Sequence, residues 1–118
     1  MSFEVEVVVE PQYIRVTPKG DYTVNDIFPF LDQVKIEAVK SNRSKVLIDT
    51  SGFKGSMTDV DRFTAGKRIA ELFGVRFKSV VILPEQNVTK MAELAAGNRG
   101  ARLLVTASEA EALEWLLD

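Results

Sequence analysis

The 118-residue chain contains no cysteine and no histidine. The first absence excludes disulfides, thiol chemistry and cysteine metal sites. The second removes the commonest general base and the commonest zinc ligand. No charge of one sign dominates either: 15 Lys and Arg stand against 17 Asp and Glu, a net charge of −2 with a pI near 5.2. Such a surface offers nucleic acid no electrostatic footprint. The start, MSFEVEVVVE, lacks a basic region followed by an apolar core and alternates apolar residues with glutamate. It reads as neither a signal peptide nor a membrane span, which makes cytoplasmic residence the expectation. Repeats, linkers and low-complexity stretches are missing, so residues 1–118 form a single domain, long enough to bury roughly two-thirds of its unfolded surface. With 46% hydrophobic and 27% charged residues, the composition is that of an ordinary globular protein.

What is present is a regular alternation of patterns. Phe3, Val5, Val7 and Val9 share one face of a strand whose other face carries Glu4, Glu6 and Glu10. Those glutamates discourage edge pairing. After Pro11-Gln12, Ile14 and Val16 alternate again with polar neighbours, which predicts an antiparallel hairpin ending at Gly20-Asp21. Ile27, Leu31, Val34 and Ala38 then mark one buried helical face between Thr23 and Lys40. Pro29 bears on where that helix begins. A cap at Asn25 or Asp26 places the proline in the first turn, whereas a cap at Thr23 implies a kink; the later cap is the expectation. KVLIDT is apolar on both faces, as a covered central strand should be. Thr58 to Phe73 is a second helix, capped by Thr58, with Asp59 and Asp61 in its first turn and Gly74 at its stop. KSVVILP is another two-faced strand. A third helix opens at Asn87 or Thr89, carries Val88, Met91, Ala92 and Ala95, and ends near Gly97. ARLLVT is the last strand, and Ser108 with Glu111 opens the last helix as a capping box. The order β-β-α-β-α-β-α-β-α predicts an α/β fold. Its mixed sheet has parallel strands joined by right-handed crossovers, an antiparallel hairpin at one edge, and helices packed on it.

The stretch VLIDTSGF as strand and turn, the following helix, SVVILPE, and the tail ELAAGNRGARLLVTASEAEALEWL together resemble the STAS domain, the fold of bacterial anti-sigma-factor antagonists. Within it they resemble the SpoIIAA-like branch of small stand-alone proteins, and the resemblance covers nearly the whole chain. It implies a non-enzymatic regulatory module without a cofactor, whose partner is a protein such as an anti-sigma-factor kinase or another signalling protein. In antagonists of the partner-switching kind, an Asp-x-Ser-Gly turn leads to Asp-Ser-Ser-Gly, whose serine a partner kinase phosphorylates. Aligned from Asp49, this chain places Met57 at the aspartate and Thr58 at the phosphoacceptor, with Asp59 and Val60 behind it. A hydroxyl survives and its recognition context does not. Thr58 is the candidate phosphoacceptor by position, and Ser56 is the alternative if Thr58 is held as a cap.

The residues themselves weigh against bolder chemistry. Asp49 ends a parallel strand, where ligands gather. Yet a receiver-type site needs further early acidic residues and a late lysine, and a haloacid-dehalogenase site needs an aspartate where Ser51 stands. Asp49 is therefore expected to accept hydrogen bonds from the turn at Ser51 and Gly52. The segment GFKGS lacks the spacing and the terminal lysine of a phosphate-binding loop. The helix start at Thr58, with Lys54 and Arg62 in reach, could draw an anion, but Asp59 and Asp61 already complement the dipole. Phe53 and Met57 are read either as part of a partner- or lipid-facing patch or as lids over the core. Arg62, Lys67 and Arg68 read as a solvated face, Gly66 as a close approach of helix to sheet, and Trp115 as packing. The candidate partner- or ligand-binding set is Ser51, Gly52, Phe53, Lys54, Gly55, Ser56, Met57, Thr58 and Arg62, with no catalytic residue and no metal ligand. The alternative function is a carrier or sensor of a lipid or other small apolar ligand, which requires a pocket of a few hundred cubic ångströms, on the order of 300 or more, between helix and sheet.

Overall fold

The computed structural model describes residues 3–118. Its elements in chain order are β1 (Phe3–Val9), β2 (Ile14–Asp21), α1 (Val24–Lys40), β3 (Lys45–Asp49), β4 (Phe53–Lys54), α2 (Asp59–Phe73), β5 (Lys78–Ile82), α3 (Met91–Gly97), β6 (Arg102–Thr106) and α4 (Glu109–Leu117). The strands run β1-β2-β3-β5-β6 across one sheet, and β4 adds to the far end of β2. β1 and β2 are antiparallel, while β2/β3, β3/β5 and β5/β6 are parallel.

The period of two in the sequence becomes a division between faces. Val46 and Ile48 on β3 join Ile14, Val16, Leu103 and Val105 beneath α1, α2 and α3. Leu47, between them, points the other way with Val80 and Ile82 and is covered by Ala112 and Leu116 of α4. β3 and β5 are therefore buried on both sides, which their unbroken apolar character anticipated. Trp115 packs at the rim of the α4 face with the Lys78 ammonium 4.5 Å from its ring centroid.

Four expectations need correction. α1 starts two or three residues earlier than expected, with Thr23 as its cap: the Asp26 carboxylate accepts from the Thr23 N–H at 2.9 Å. Pro29 then lies inside the helix, and the bond it cannot donate would have gone to Asn25. Both residues are exposed, so water can satisfy that carbonyl. α3 starts at Met91, after a single 3-10 turn over Glu85–Asn87, and Val88 lies outside it. Lys90, in the left-handed conformation at φ 64°, separates the two. β4 was not anticipated at all, because two residues are too few to show a period. Gly66 does not face the sheet: a Cβ there would lie 2.9 Å from the Ala92 Cα, so the glycine permits close packing of α2 against α3.

Candidate functional site

At the end of β3 the Asp49 carboxylate accepts from the Ser51 N–H at 3.0 Å and from the Ser51 hydroxyl at 2.7 Å. Its other oxygen lies 3.8 Å from Arg15, which makes a closer contact of 2.8 Å with Glu109. The carboxylate that invited a catalytic reading thus shapes a turn, through the amide and hydroxyl of Ser51 and not through the Gly52 amide expected beside it. The buried Thr50 hydroxyl donates to the Ile82 carbonyl at 2.7 Å, tying together the carboxyl ends of β3 and β5. The Phe53 N–H closes the turn on the Thr50 carbonyl at 2.9 Å.

Beyond that turn the chain is stitched to β2. The Gly20 N–H donates to the Gly52 carbonyl at 3.0 Å, and the Tyr22 N–H to the Lys54 carbonyl at 2.8 Å. Phe53 is buried, its ring centroid 4.4 Å from Tyr22, 4.7 Å from Phe3 and 5.4 Å from Phe30. Of the two readings weighed for Phe53, the core lid is the one observed. Gly55 is required by this cluster, since a Cβ there would come within 2.6 Å of the Tyr22 carbonyl and 2.7 Å of its ring. Ser51, Lys54, Gly55, Ser56 and Thr58 are exposed, whereas Gly52, Met57 and Arg62 are partly buried. Thr58 caps α2 reciprocally: its hydroxyl accepts from the Asp61 N–H at 3.1 Å, and the Asp61 carboxylate accepts from the Thr58 N–H at 2.9 Å. The Thr58 and Asp61 amides at this helix start are thereby engaged, and the Asp59 and Asp61 carboxylates already stand at its positive end.

Two concavities flank this segment. One is an apolar cavity of about 120 Å³ between α1, α2 and the carboxyl ends of β3 and β5, with Ile27, Leu31, Ile48, Ile69 and Met57 in its wall. Arg62 and Tyr22 also line it. Burial pushes the Tyr22 phenol up; the Arg62 guanidinium opposes that and Asp61 adds to it. Arg62 stands 3.5 Å from Asp59, so it faces this pocket as well as solvent. The other concavity is a surface hollow of about 240 Å³, where Val24 and Phe28 of α1 meet Met57, Asp61 and Thr64. Val24 and Phe28 are 41% and 40% exposed, and Val60, one turn before Thr64, is 74% exposed. This grouping was missed in the sequence. Its signal was Phe28, an aromatic residue outside the buried stripe of α1.

No family model matches the chain, and no curated protein matches it in sequence. Solved structures do match in three dimensions. An anti-sigma factor antagonist from Mycobacterium paratuberculosis superposes with a TM-score of 0.66 at 18% identity, over 99% of this chain and 96% of that one. The fold is that of a SpoIIAA-like STAS domain. An uncharacterised protein from Shewanella loihica with the same SpoIIAA-like fold gives a TM-score of 0.58 at 15% identity, covering 98% of this chain and 93% of its own. The anti-sigma factor antagonist SpoIIAA in its unphosphorylated form gives 0.54 at 13% identity, covering 98% and 97%. In the SpoIIAA-like frame of this chain, the Asp49–Thr58 segment and the starts of α1 and α2 gather on one side, around the two concavities. Among the described residues no helix is long and apolar enough to cross a membrane.

Proposed function

We propose that the chain is a non-enzymatic regulatory module that binds a protein partner at the hollow between α1 and α2 and along the exposed part of loop 51–58. The observation that carries this reading is the exposure of Val24 and Phe28 beside Met57 in the hollow, with Val60 exposed next to Asp61 at the start of α2. Large apolar side chains gathered on a surface mark interaction sites more often than scattered ones do. Asp26, Asp59 and Asp61 stand in the first turns of the same two helices, so the partner is expected to offer an apolar side chain ringed by basic groups. Two of the solved neighbours are described as anti-sigma factor antagonists, which supports a sigma-regulating kinase, or a related signalling protein, as that partner. Phosphate on Thr58 would add roughly −1.5 to −2 charges beside Asp59 and Asp61 and disturb the cap. Ser56, exposed and outside the cap, is the acceptor we favour.

The test is a titration of the purified anti-sigma-factor kinase of the same genome. Phe28→Lys and Val60→Lys should leave stability within about 0.5 kcal/mol, because both positions are exposed. Each should weaken binding at least about tenfold. No binding by the parent protein would remove the kinase as partner, unchanged binding by both variants would remove the surface, and stoichiometric phosphate on Thr58 would overturn the preference for Ser56.

The cavity favours a second reading, a small apolar ligand. Its volume of about 120 Å³ falls below the few hundred cubic ångströms that the lipid alternative required. It is nearer an engineered cavity of about 150 Å³ that takes benzene, so the occupant is a molecule of that size. Native mass spectrometry and thermal shifts against small aromatics and short-chain lipids test this; a clean apo mass with no shift removes it.

A further inference from the structure

β6 ends the sheet, pairing with β5 on one side and with no other strand among the described residues. The Thr106 carbonyl accepts from the Leu83 N–H on the β5 side, so the polar groups of the preceding Val105 face outward. The opposite edge, β1, alternates exposed Glu4 and Glu6, which repel a second copy. β6 reads Arg-Leu-Leu-Val-Thr, with one charge and no proline, the composition that templates strand pairing. Antiparallel pairing of two β6 strands would set Arg102 against Thr106 and Leu104 against itself, so no like charges would oppose it.

What covers this edge is a pair of side chains. The Val105 N–H donates to Glu93 Oε2 at 2.8 Å, and the Lys90 ammonium donates to the Val105 carbonyl. Lys90 Nζ and Glu93 Oε2 are themselves 3.1 Å apart. Both outward groups of one residue are thereby occupied from the start of α3. Lys90 reaches this position from a left-handed backbone, φ 64°, which is disfavoured for a lysine. We propose that Lys90 and Glu93 form a clasp that seals the outer edge of β6, and that opening the clasp converts this edge into a self-association surface occupied by β6 of a second copy.

The variant Lys90→Gly/Glu93→Ala tests it, since glycine suits the backbone at position 90 while removing the ammonium. Sedimentation equilibrium should show a self-association constant at least about tenfold above the parent's. Amide exchange at Val105 should be faster than in the parent at low concentration, with protection returning as concentration rises. Glu93→Gln keeps an acceptor for the Val105 N–H and should stay near the parent. A folded double variant with the parent's association constant overturns the clasp, and so does association that leaves the Val105 amide unprotected. If the double variant fails to fold, Lys90→Asn/Glu93→Ala, whose asparagine also tolerates the left-handed backbone, is read the same way.

Discussion

At Thr58 the hydroxyl that aligns with the phosphoacceptor position already serves its own helix, accepting from the Asp61 N–H at 3.1 Å. Thr58→Ala removes that acceptor and should cost about 1 kcal/mol, read as a lower melting temperature. Thr58→Asp restores an acceptor and places a carboxylate at the positive end of the helix, although beside Asp59 and Asp61. The two effects oppose each other, so its stability should lie close to the parent's. A Thr58→Asp protein as unstable as Thr58→Ala would show that the cap is not what Thr58 contributes. Asp49 carries a related lesson. Its role as turn former was readable from Ser51 two residues on, because a short carboxylate reaches that amide locally.

Between elements, the contact most sensitive to a single atom is α2 against α3. A Cβ on Gly66 would lie 2.9 Å from the Ala92 Cα and closer still to the Ala92 carbonyl oxygen, backbone atoms that cannot move without their helix. Gly66→Ala gains about 1 kcal/mol in helix propensity. It should nevertheless lose about 1–3 kcal/mol net from overpacking, measured as a lower urea midpoint with an unchanged slope. A stabilised Gly66→Ala protein would mean that α3 is free to shift away. The same element explains why boundaries were harder to read than elements. α1 gained two or three residues at its start because Asp26 serves as the box partner of Thr23. α3 lost its first residues because Lys90 adopts a backbone that no local pattern announces.

For the whole molecule, burial on both faces singles out β3 and β5. Amide exchange should be slowest at Val46–Ile48 and Val80–Ile82, where α1 and α2 cover one face and α4 the other. β1, at an open edge with exposed glutamates, should exchange faster. Rapid exchange in both β3 and β5 would contradict the strand order.

The sequence by itself determined the α/β class, the antiparallel hairpin, the two-faced central strands and the caps at Thr58 and Ser108, where Ser108 accepts from the Glu111 N–H at 3.1 Å. These depend on periodicity and on hydrogen bonds spanning three residues, and both are local. The expected capping box at Ser108 is not completed, because the Ser108 N–H donates to the Thr106 hydroxyl at 3.1 Å instead of to Glu111. Tertiary structure alone decided that Phe53 joins Phe3, Tyr22 and Phe30 in the core, that β4 extends β2, and that Phe28 stands open beside Met57. It also decided that Lys90 and Glu93 close on Val105, 15 and 12 residues away. Each of these pairs residues that meet only after the helices have returned the chain to the sheet, and no local period encodes which side chain then lies opposite which.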